Sequence, residues 1–567
     1  MRLFEKLKHS GIGSTMLLIW VLTACLLPNV WLSFTERMPL FATLTNVILP
    51  AGIYALLMSV TPKVGKASLW MIILFFFAAF QIVLLYMYGR SVIAVDMFLN
   101  VVTTNPGEVN ELLGNMLVIL LFMTLIYIPP IVLGIMAVCK KWRLGQRTIR
   151  TVRNTGLWLT VIGMLLFGLS FTSARPYRPL CDLYPVNVIY NLYLAVQRTV
   201  KTSGYHETSA DYRFNAVSEH ADSIKELYVV VVGETSRADN WQLMGYERAN
   251  NQHLMDVSGL TAYPKALSQS NTTHKSVPML LSELNADNFA DSIYHVKSLI
   301  TAFNEAGYHT SFISNQSRNH SFIDFFGEEA DTCIFIKDNP SSEARYSYDT
   351  DMLTYLDKAM NLGHGKTLVV LHAYGSHFNY IDRYPNGFGS FLPDRPASAT
   401  HHYRQKQINA YDNTVEYTSM FLRSIIDRLE KFDGLTGMIY TSDHGEDIFD
   451  DDRHLFLHAS PIPSYYQIHV PMLVWLGHSY RESYPSVSQA AESNKDRFVA
   501  TSRAFFHSIL DMAGISTPVA DRTESILSPL YTPRSPMYLN DHNESVPLFD
   551  CGILHYDKDK LRTLGIV

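Results

Sequence analysis

The 567 residues are too many for one ordinary domain. A formal net charge of -6 argues against the basic footprint of a nucleic-acid binder. Hydrophobic residues make up 48% of the chain, but nearly all the long apolar runs fall in the first 175 residues, so the average conceals a membrane part and a soluble part.

Five runs approach the roughly 20 residues that a bilayer span requires: Ser14–Phe34, Leu40–Val60, Leu69–Tyr88, Met116–Val138 and Thr155–Thr172. A large buried helical core would rarely contain such uncharged runs in tandem. The first run reads as an uncleaved span, because further spans follow it and no small-residue cleavage site stands out. Lys6 and Lys8 precede it, Lys63 and Lys66 follow the second span, and Lys140, Lys141, Arg143, Arg147, Arg150 and Arg153 fill the loop after the fourth. Positive residues stay on the cytoplasmic side, which puts the N-terminus inside and everything after about residue 175 outside the cytoplasm. The expected layout is a transmembrane domain over 1–175, a bridging helix and linker over 176–224, and a catalytic domain over 225–567. In the bridge, "VNVIYNLYLAVQRTVK" has helical apolar spacing; Tyr190, Tyr193 and Leu194 suit either a helix at the membrane interface or one packed on the soluble domain.

From Leu227 onward, short apolar runs ("LYVVVVGE", "HTSFISN", "TCIFIKD", "KTLVVLHAYGSH", "GLTGMIYTSDHGE", "HVPMLVWLG") alternate with helical patterns. This alternation predicts an α/β domain with a largely parallel central sheet flanked by helices. Three of the strands end in candidate metal ligands: Glu234; His372 and His377; Asp443 and His444, with Glu446 just beyond. Carboxylates and imidazoles gathered at the carboxyl edge of one sheet suit Zn²⁺. In "SQSNTTHKSVPMLLS", Thr272, Thr273 and Ser276 stand before a helical apolar run. A hydroxyl there is either a helix cap or a nucleophile activated by metal at the positive end of a helix dipole. Arg237 either orients Glu234 from behind or caps a helix. Asp450, Asp451 and Asp452 read as a solvated acidic loop. Of the five cysteines, Cys181, Cys333 and Cys551 lie on the oxidising side and allow at most one disulfide among them.

"VVVVGETSRADNWQLMGYER", "NTTHKSVP", "LHAYGSH", "TSDHGE" and "FLHASP…QIHVPMLVW" resemble the phosphoethanolamine transferases of Gram-negative lipopolysaccharide, within the alkaline phosphatase/sulfatase-like superfamily. The resemblance covers nearly the whole chain, in the family's order. It implies a tight zinc site of Glu234, Thr273, Asp443 and His444, with Thr273 as the residue that becomes phosphoethanolamine-modified. Thr273 is preferred to Thr272 because it stands three residues before Ser276-Val277-Pro278. His377 and His458 match histidines that hold a second metal or the phosphoryl group, with His454 as a rival for the His458 role. His372 is a further pocket histidine, unless it is a hydrogen-bonded core residue. Asn100, Thr104 and Glu108 keep the spacing with which the family grips the ethanolamine head group, although a recurrence every four residues also describes one solvated helix face.

The resemblance further implies phosphatidylethanolamine as donor and lipid A or core of lipopolysaccharide as acceptor. It places a monomeric multi-pass enzyme in the bacterial inner membrane, with its catalytic domain in the periplasm and no nucleic-acid partner. A phosphoglycerol transferase, or a sulfatase or phosphatase on the same fold, is the alternative; the C/S-x-P-x-R signature of sulfatases is missing from the nucleophile region. Two departures stand out. Gln269 and Met279 occupy positions where many relatives carry a disulfide, so packing is expected to hold the nucleophile loop. His377-Phe378-Asn379 replaces the common His-Gly-Pro.

Overall fold

The computed structural model describes residues 11–36, 38–88, 91–103, 117–173, 177–338 and 347–566. The chain separates into two compact units: one takes Met1–Phe98 and Leu112–Gln197, the other Leu99–Glu111 and Arg198–Val567.

Four helices of the first unit are long and apolar enough to cross a membrane: α1 (Ile12–Thr35), α2 (Leu40–Ser59), α5 (Leu117–Cys139) and α6 (Gln146–Ser170). The expected third span is a pair of helices, α3 (Val64–Trp70) and α4 (Ile72–Tyr88), bent by 51° at their junction and counting as a fifth span if taken together. Helix α6 also begins earlier than its apolar run suggests. Arg147, Arg150 and Arg153 lie on its first turns rather than in a loop, because straight-chain basic residues favour helix and only the apolar part needs lipid. Some buried polar groups in this unit pair with one another: Asn29 Nδ2 donates to the carbonyls of Asn46 (2.7 Å) and Tyr184 (2.9 Å), and Asn46 Oδ1 accepts from the Tyr184 amide (3.1 Å). On helix α7 (Val186–Ser203), Val186, Ile189, Tyr193, Val196 and Val200 form an exposed apolar stripe with three- and four-residue steps.

The second unit is built on a seven-stranded sheet in the order β2-β7-β6-β1-β5-β3-β4. Its strands are β1 (Glu226–Gly233), β2 (Leu260–Ala262), β3 (His309–Ser314), β4 (Thr332–Phe335), β5 (Lys366–His372), β6 (Leu435–Ser442) and β7 (Met472–Leu476). Strands β6, β1, β5, β3 and β4 are mutually parallel. Strand β7 runs antiparallel to both β6 and β2, so the sheet is mixed rather than simply parallel. The register gives the reason. Met472 pairs with Thr441, so the chain leaving β6 stays at the carboxyl edge over 443–471 and must turn back along its neighbour.

The valine run of β1 sits at the centre of the sheet, buried over its whole length. Tyr228, Val230 and Val232 point into one core, with helices α8 (Thr273–Leu280) and α10 (Thr501–Met512). Leu227, Val229 and Val231 point into the other, with the long helix α9 (Arg404–Leu429). Period-two alternation therefore feeds two apolar layers instead of one apolar and one wet face. Because Val232 pairs with His372 and Gly233 with Ser442, β5, β1 and β6 end at the same level. Glu234, Ala373 and Asp443 consequently emerge side by side.

Candidate active site

Glu234 leaves β1 through a strained turn. Thr235 has φ of 61°, an uncommon value for a β-branched residue, and such conformations cost about 1–3 kcal/mol. Three hydrogen bonds hold it there. Its amide donates to Asp443 Oδ1 (3.1 Å), its hydroxyl donates to Glu234 Oε1 (2.8 Å), and its carbonyl accepts from the Tyr411 hydroxyl (2.7 Å). The turn thus joins two carboxylates that the sequence separates by more than two hundred residues. Gly375 closes the same edge: it has φ of 48°, and a Cβ there would stand 2.5 Å from the Glu234 carbonyl. Gly445 is required for space alone, since its Cβ would fall 2.2 Å from the Tyr466 carbonyl.

Thr273 is the first residue of α8, while Thr272 occupies the cap position without a side-chain cap bond. The Thr272 hydroxyl is buried against that of Ser270 (3.1 Å). The Thr273 hydroxyl instead lies 3.2 Å from Glu234 Oε1 and 3.1 Å from His444 Nε2. His444 Nε2 is 3.4 Å from Glu234 Oε1 and 3.3 Å from Asp443 Oδ2. The four residues expected to form one site are brought together. Oxygen and nitrogen ligands about 2.0 Å from a tetrahedral zinc ion lie roughly 3.3 Å from one another, which matches these separations, so the donor set fits Zn²⁺.

The electrostatics also call for a cation. Burial raises the Glu234 and Asp443 carboxyls above their usual range, and the Asp443 charge pushes Glu234 further. Burial works against the charged form of His444, but the Asp443 and Glu234 carboxylates outweigh it and hold its proton above the ordinary histidine range. Two carboxylates buried this closely are satisfied by positive charge or by protons.

His458 stands with this group. One ligand atom each from Glu234, His444 and His458 lie within 4.8 Å of one another, and the His458 ring is 4.2 Å from that of His444 and 5.8 Å from that of His377. Its rival His454 is exposed, and its ring lies tilted 4.0 Å from that of His401. Three histidines are anchored through Nδ1: His377 on the Phe378 carbonyl (2.6 Å), His444 on the Gly445 carbonyl (3.0 Å) and His458 on Glu446 Oε1 (3.1 Å). The partners of His377 and His444 are backbone carbonyls, so Nδ1 of each carries a proton, whereas burial raises the Glu446 carboxyl to about 8 and lets it donate to His458 as well as accept. Burial, with a neighbouring positive charge, lowers His377 well below the histidine range, and burial followed by the His444 charge lowers His458 to about 3. Both are neutral at ordinary pH.

Several expectations change. His372 is a core residue: 1% exposed, its Nδ1 lies 3.1 Å from the Ser314 hydroxyl and its ring packs against Phe312. Arg237 neither touches Glu234 nor caps a helix with its side chain. It donates to the Glu446 carbonyl (3.1 Å) and Asp450 (2.7 Å) and lies over the Tyr466 and Tyr411 rings. Asp450 is therefore the buried half of an ion pair, and Asp451 pairs with Arg453, which leaves only Asp452 as a solvated acid. Thr104 and Glu108 lie outside the described residues, as does the side chain of Asn100.

Hydrogen bonds, not packing alone, hold the nucleophile loop. Gln269 is 1% exposed; its Oε1 accepts from the Ala286 amide (3.2 Å) and the Ser502 hydroxyl (3.1 Å), and its carbonyl accepts from the Leu539 amide (2.8 Å). Gln269→Ala strands two buried donors and is expected to lower stability by about 2–4 kcal/mol. A thermal-unfolding midpoint equal to that of the parent would show that the side chain does not hold the loop.

Sequence reasoning missed Gln316, whose amide donates to Glu234 Oε2 (3.1 Å) and to the Ala373 carbonyl (2.9 Å). It lies two residues past the end of β3, and the rule that strand ends carry chemistry, applied to a fourth parallel strand, would have found it. A cavity of about 370 Å³ begins at His274, next to Thr273, and is walled by Phe289, Ile293, Phe322 and Phe325.

A family profile described as "Sulfatase" matches residues 226–515. The chain belongs to the sulfatase family. It is 25% identical over 460 residues to phosphoethanolamine transferase EptA of Escherichia coli (strain K12), covering 78% of this chain and 81% of that protein. It shares the fold of the integral membrane lipooligosaccharide phosphoethanolamine transferase A of Neisseria meningitidis, with a TM-score of 0.70, 19% identity and coverage of 90% and 98%. The second unit likewise matches the C-terminal periplasmic domain of E. coli EptC in complex with Zn, with a TM-score of 0.53, 24% identity and coverage of 59% and 96%. The full-length match supports the layout of apolar helices followed by a sulfatase-like α/β domain.

Proposed function

We propose that this chain is a zinc-dependent phosphoethanolamine transferase that moves the group from phosphatidylethanolamine to lipid A or core of lipopolysaccharide through a covalent intermediate on Thr273. The observation that carries the reading is the Thr273 hydroxyl held at the start of α8, 3.1 Å from His444 Nε2 and 3.2 Å from Glu234 Oε1. In the first half-reaction, Thr273 Oγ1 bonds to phosphorus, the bond from phosphorus to the glycerol oxygen breaks, and the hydroxyl proton leaves with diacylglycerol. In the second, an acceptor oxygen attacks phosphorus, the bond to Thr273 breaks, and the acceptor's proton returns to Oγ1.

Zn²⁺ held by Glu234, Asp443, His444 and Thr273 would lower the proton affinity of Oγ1 and offset charge on the transferring oxygens. The neutral imidazoles of His458 and His377 stand beside this set to move a proton or to bind the phosphoryl group. Asn100, Thr104 and Glu108 are assigned to the ethanolamine head group.

The apolar cavity walled by Phe289, Ile293, Phe322 and Phe325 and the exposed apolar stripe of α7 both suit a lipid donor at a membrane surface. In this reading five spans anchor a monomer in the inner membrane with its N-terminus in the cytoplasm, and the catalytic domain works in the periplasm. Ethanolamine adds a cation to an anionic surface and so weakens the binding of cationic peptides. Mass spectrometry of lipopolysaccharide from cells with and without the gene tests the proposal. A gain of one phosphoethanolamine, located on lipid A or core, is expected. Unchanged lipopolysaccharide together with release of free phosphoethanolamine or sulfate would make the chain a hydrolase.

A further inference from the structure

We propose that Gln316 is a positioning residue that fixes which oxygen of Glu234 is offered to the reaction centre. This rests on the reading of Glu234 as a metal ligand. Glu234 Oε1 faces Thr273, Thr235 and His444, while Oε2 accepts from Gln316 Nε2 at 3.1 Å. The same nitrogen donates to the Ala373 carbonyl at 2.9 Å. Both partners are acceptors, so the amide orientation is fixed: a flipped amide would set its own oxygen against two others.

Gln316 is itself held from behind. Its backbone amide donates to Ser314 Oγ (3.1 Å), and the same hydroxyl is hydrogen-bonded to His372 Nδ1 (3.1 Å). Burial lowers His372 to about 4 and keeps its imidazole neutral. Asn315 fastens the same turn, its amide donating to the His372 carbonyl (2.9 Å) and its side chain to Asp349 (2.8 Å). Asp349 in turn accepts from the amides of Tyr374 (2.8 Å) and Gly375 (2.9 Å). The ends of β3 and β5 thus form one rigid frame, and the Gln316 amide is its contact with the carboxylate. With Oε2 engaged, Glu234 binds a cation through one oxygen and keeps a single orientation; without that bond the carboxylate can rotate and the four-donor set loosens. His372 therefore serves the site through Ser314 and Gln316 and not by touching substrate.

The test is zinc affinity of the full chain in detergent, measured by competition with a chromophoric chelator, beside the unfolding midpoint of the metal-stripped protein. Gln316→Met keeps length and removes both donors. It is expected to bind zinc about 10–100-fold more weakly, with the metal-stripped midpoint unchanged. Gln316→Asn, too short to reach Oε2, is expected to match it and serves if the methionine variant does not fold. Zinc affinity within twofold of the parent, or a parallel fall in the metal-stripped midpoint, overturns the assignment while leaving Glu234 as a ligand. A parent chain that binds no zinc, or a Glu234→Gln chain that binds it as well as the parent, overturns the underlying reading as well.

Discussion

Transfer of phosphoethanolamine by Thr273→Ala is expected to fall at least about a thousandfold, because the variant has no oxygen to form the covalent intermediate. Thr273→Ser keeps the oxygen and loses only the β-branch that limits its rotamers, so it is expected to retain measurable transfer. Thr272→Ala is expected to behave as the parent, since the Thr272 hydroxyl is turned to Ser270. Lipopolysaccharide mass spectra give the activities, and intact-protein mass spectrometry after incubation with phosphatidylethanolamine reports the adduct. An adduct on Thr272, or transfer surviving in Thr273→Ala, would remove Thr273 from the chemistry.

Asp443→Asn separates function from stability. Asp443 Oδ1 accepts from the amides of Thr235 (3.1 Å) and His444 (2.7 Å), and Oδ2 lies 3.3 Å from His444 Nε2. An asparagine keeps the shape but removes the charge and turns an N–H toward one set of these groups. Zinc content and transfer are both expected to fall by about two orders of magnitude or more.

The metal-stripped protein should respond in the opposite sense. Because burial raises the folded-state pKa of Asp443, the folded chain binds more protons than the unfolded one above the unfolded pKa. Its metal-free stability therefore declines as pH rises from about 4 toward the folded value. The amide of the variant does not titrate and carries no such penalty. Metal-free Asp443→Asn is expected to melt higher than metal-free parent at pH 7.5, with the gap closing toward pH 4. Full zinc content in the variant, or a gap that widens on acidification, would contradict this account.

The candidate ligands were legible in the sequence for a physical reason: an uninterrupted valine run means a strand buried on both faces, and its end must sit at the sheet's edge. That logic finds Glu234 and the Asp443-His444 pair. It says nothing about direction, which is why "HVPMLVWLG" reads like the other strands although β7 runs backwards. An apolar run reports burial and not chain sense; the sense was set by the long excursion at the carboxyl edge. Charge runs mislead in the opposite way. Asp450 looks solvated beside Asp451 and Asp452, and only the fold shows Arg237 arriving from a segment more than two hundred residues earlier. His372 stays open between core and pocket in the sequence for a related reason, since alternation cannot tell a core imidazole from a pocket one. Gln316 carries no charge and belongs to no motif, so only its two acceptors reveal it.

The bonds around Gln269 carry a consequence for the life history of the protein. A loop clamped by cystines is complete only after an oxidant has acted, and a reductant can release it. Here the backbone next to the nucleophile acquires its register as the chain folds, without any thiol–disulfide chemistry at positions 269 and 279. The register of the loop that carries Thr273 is therefore independent of disulfide formation at positions 269 and 279.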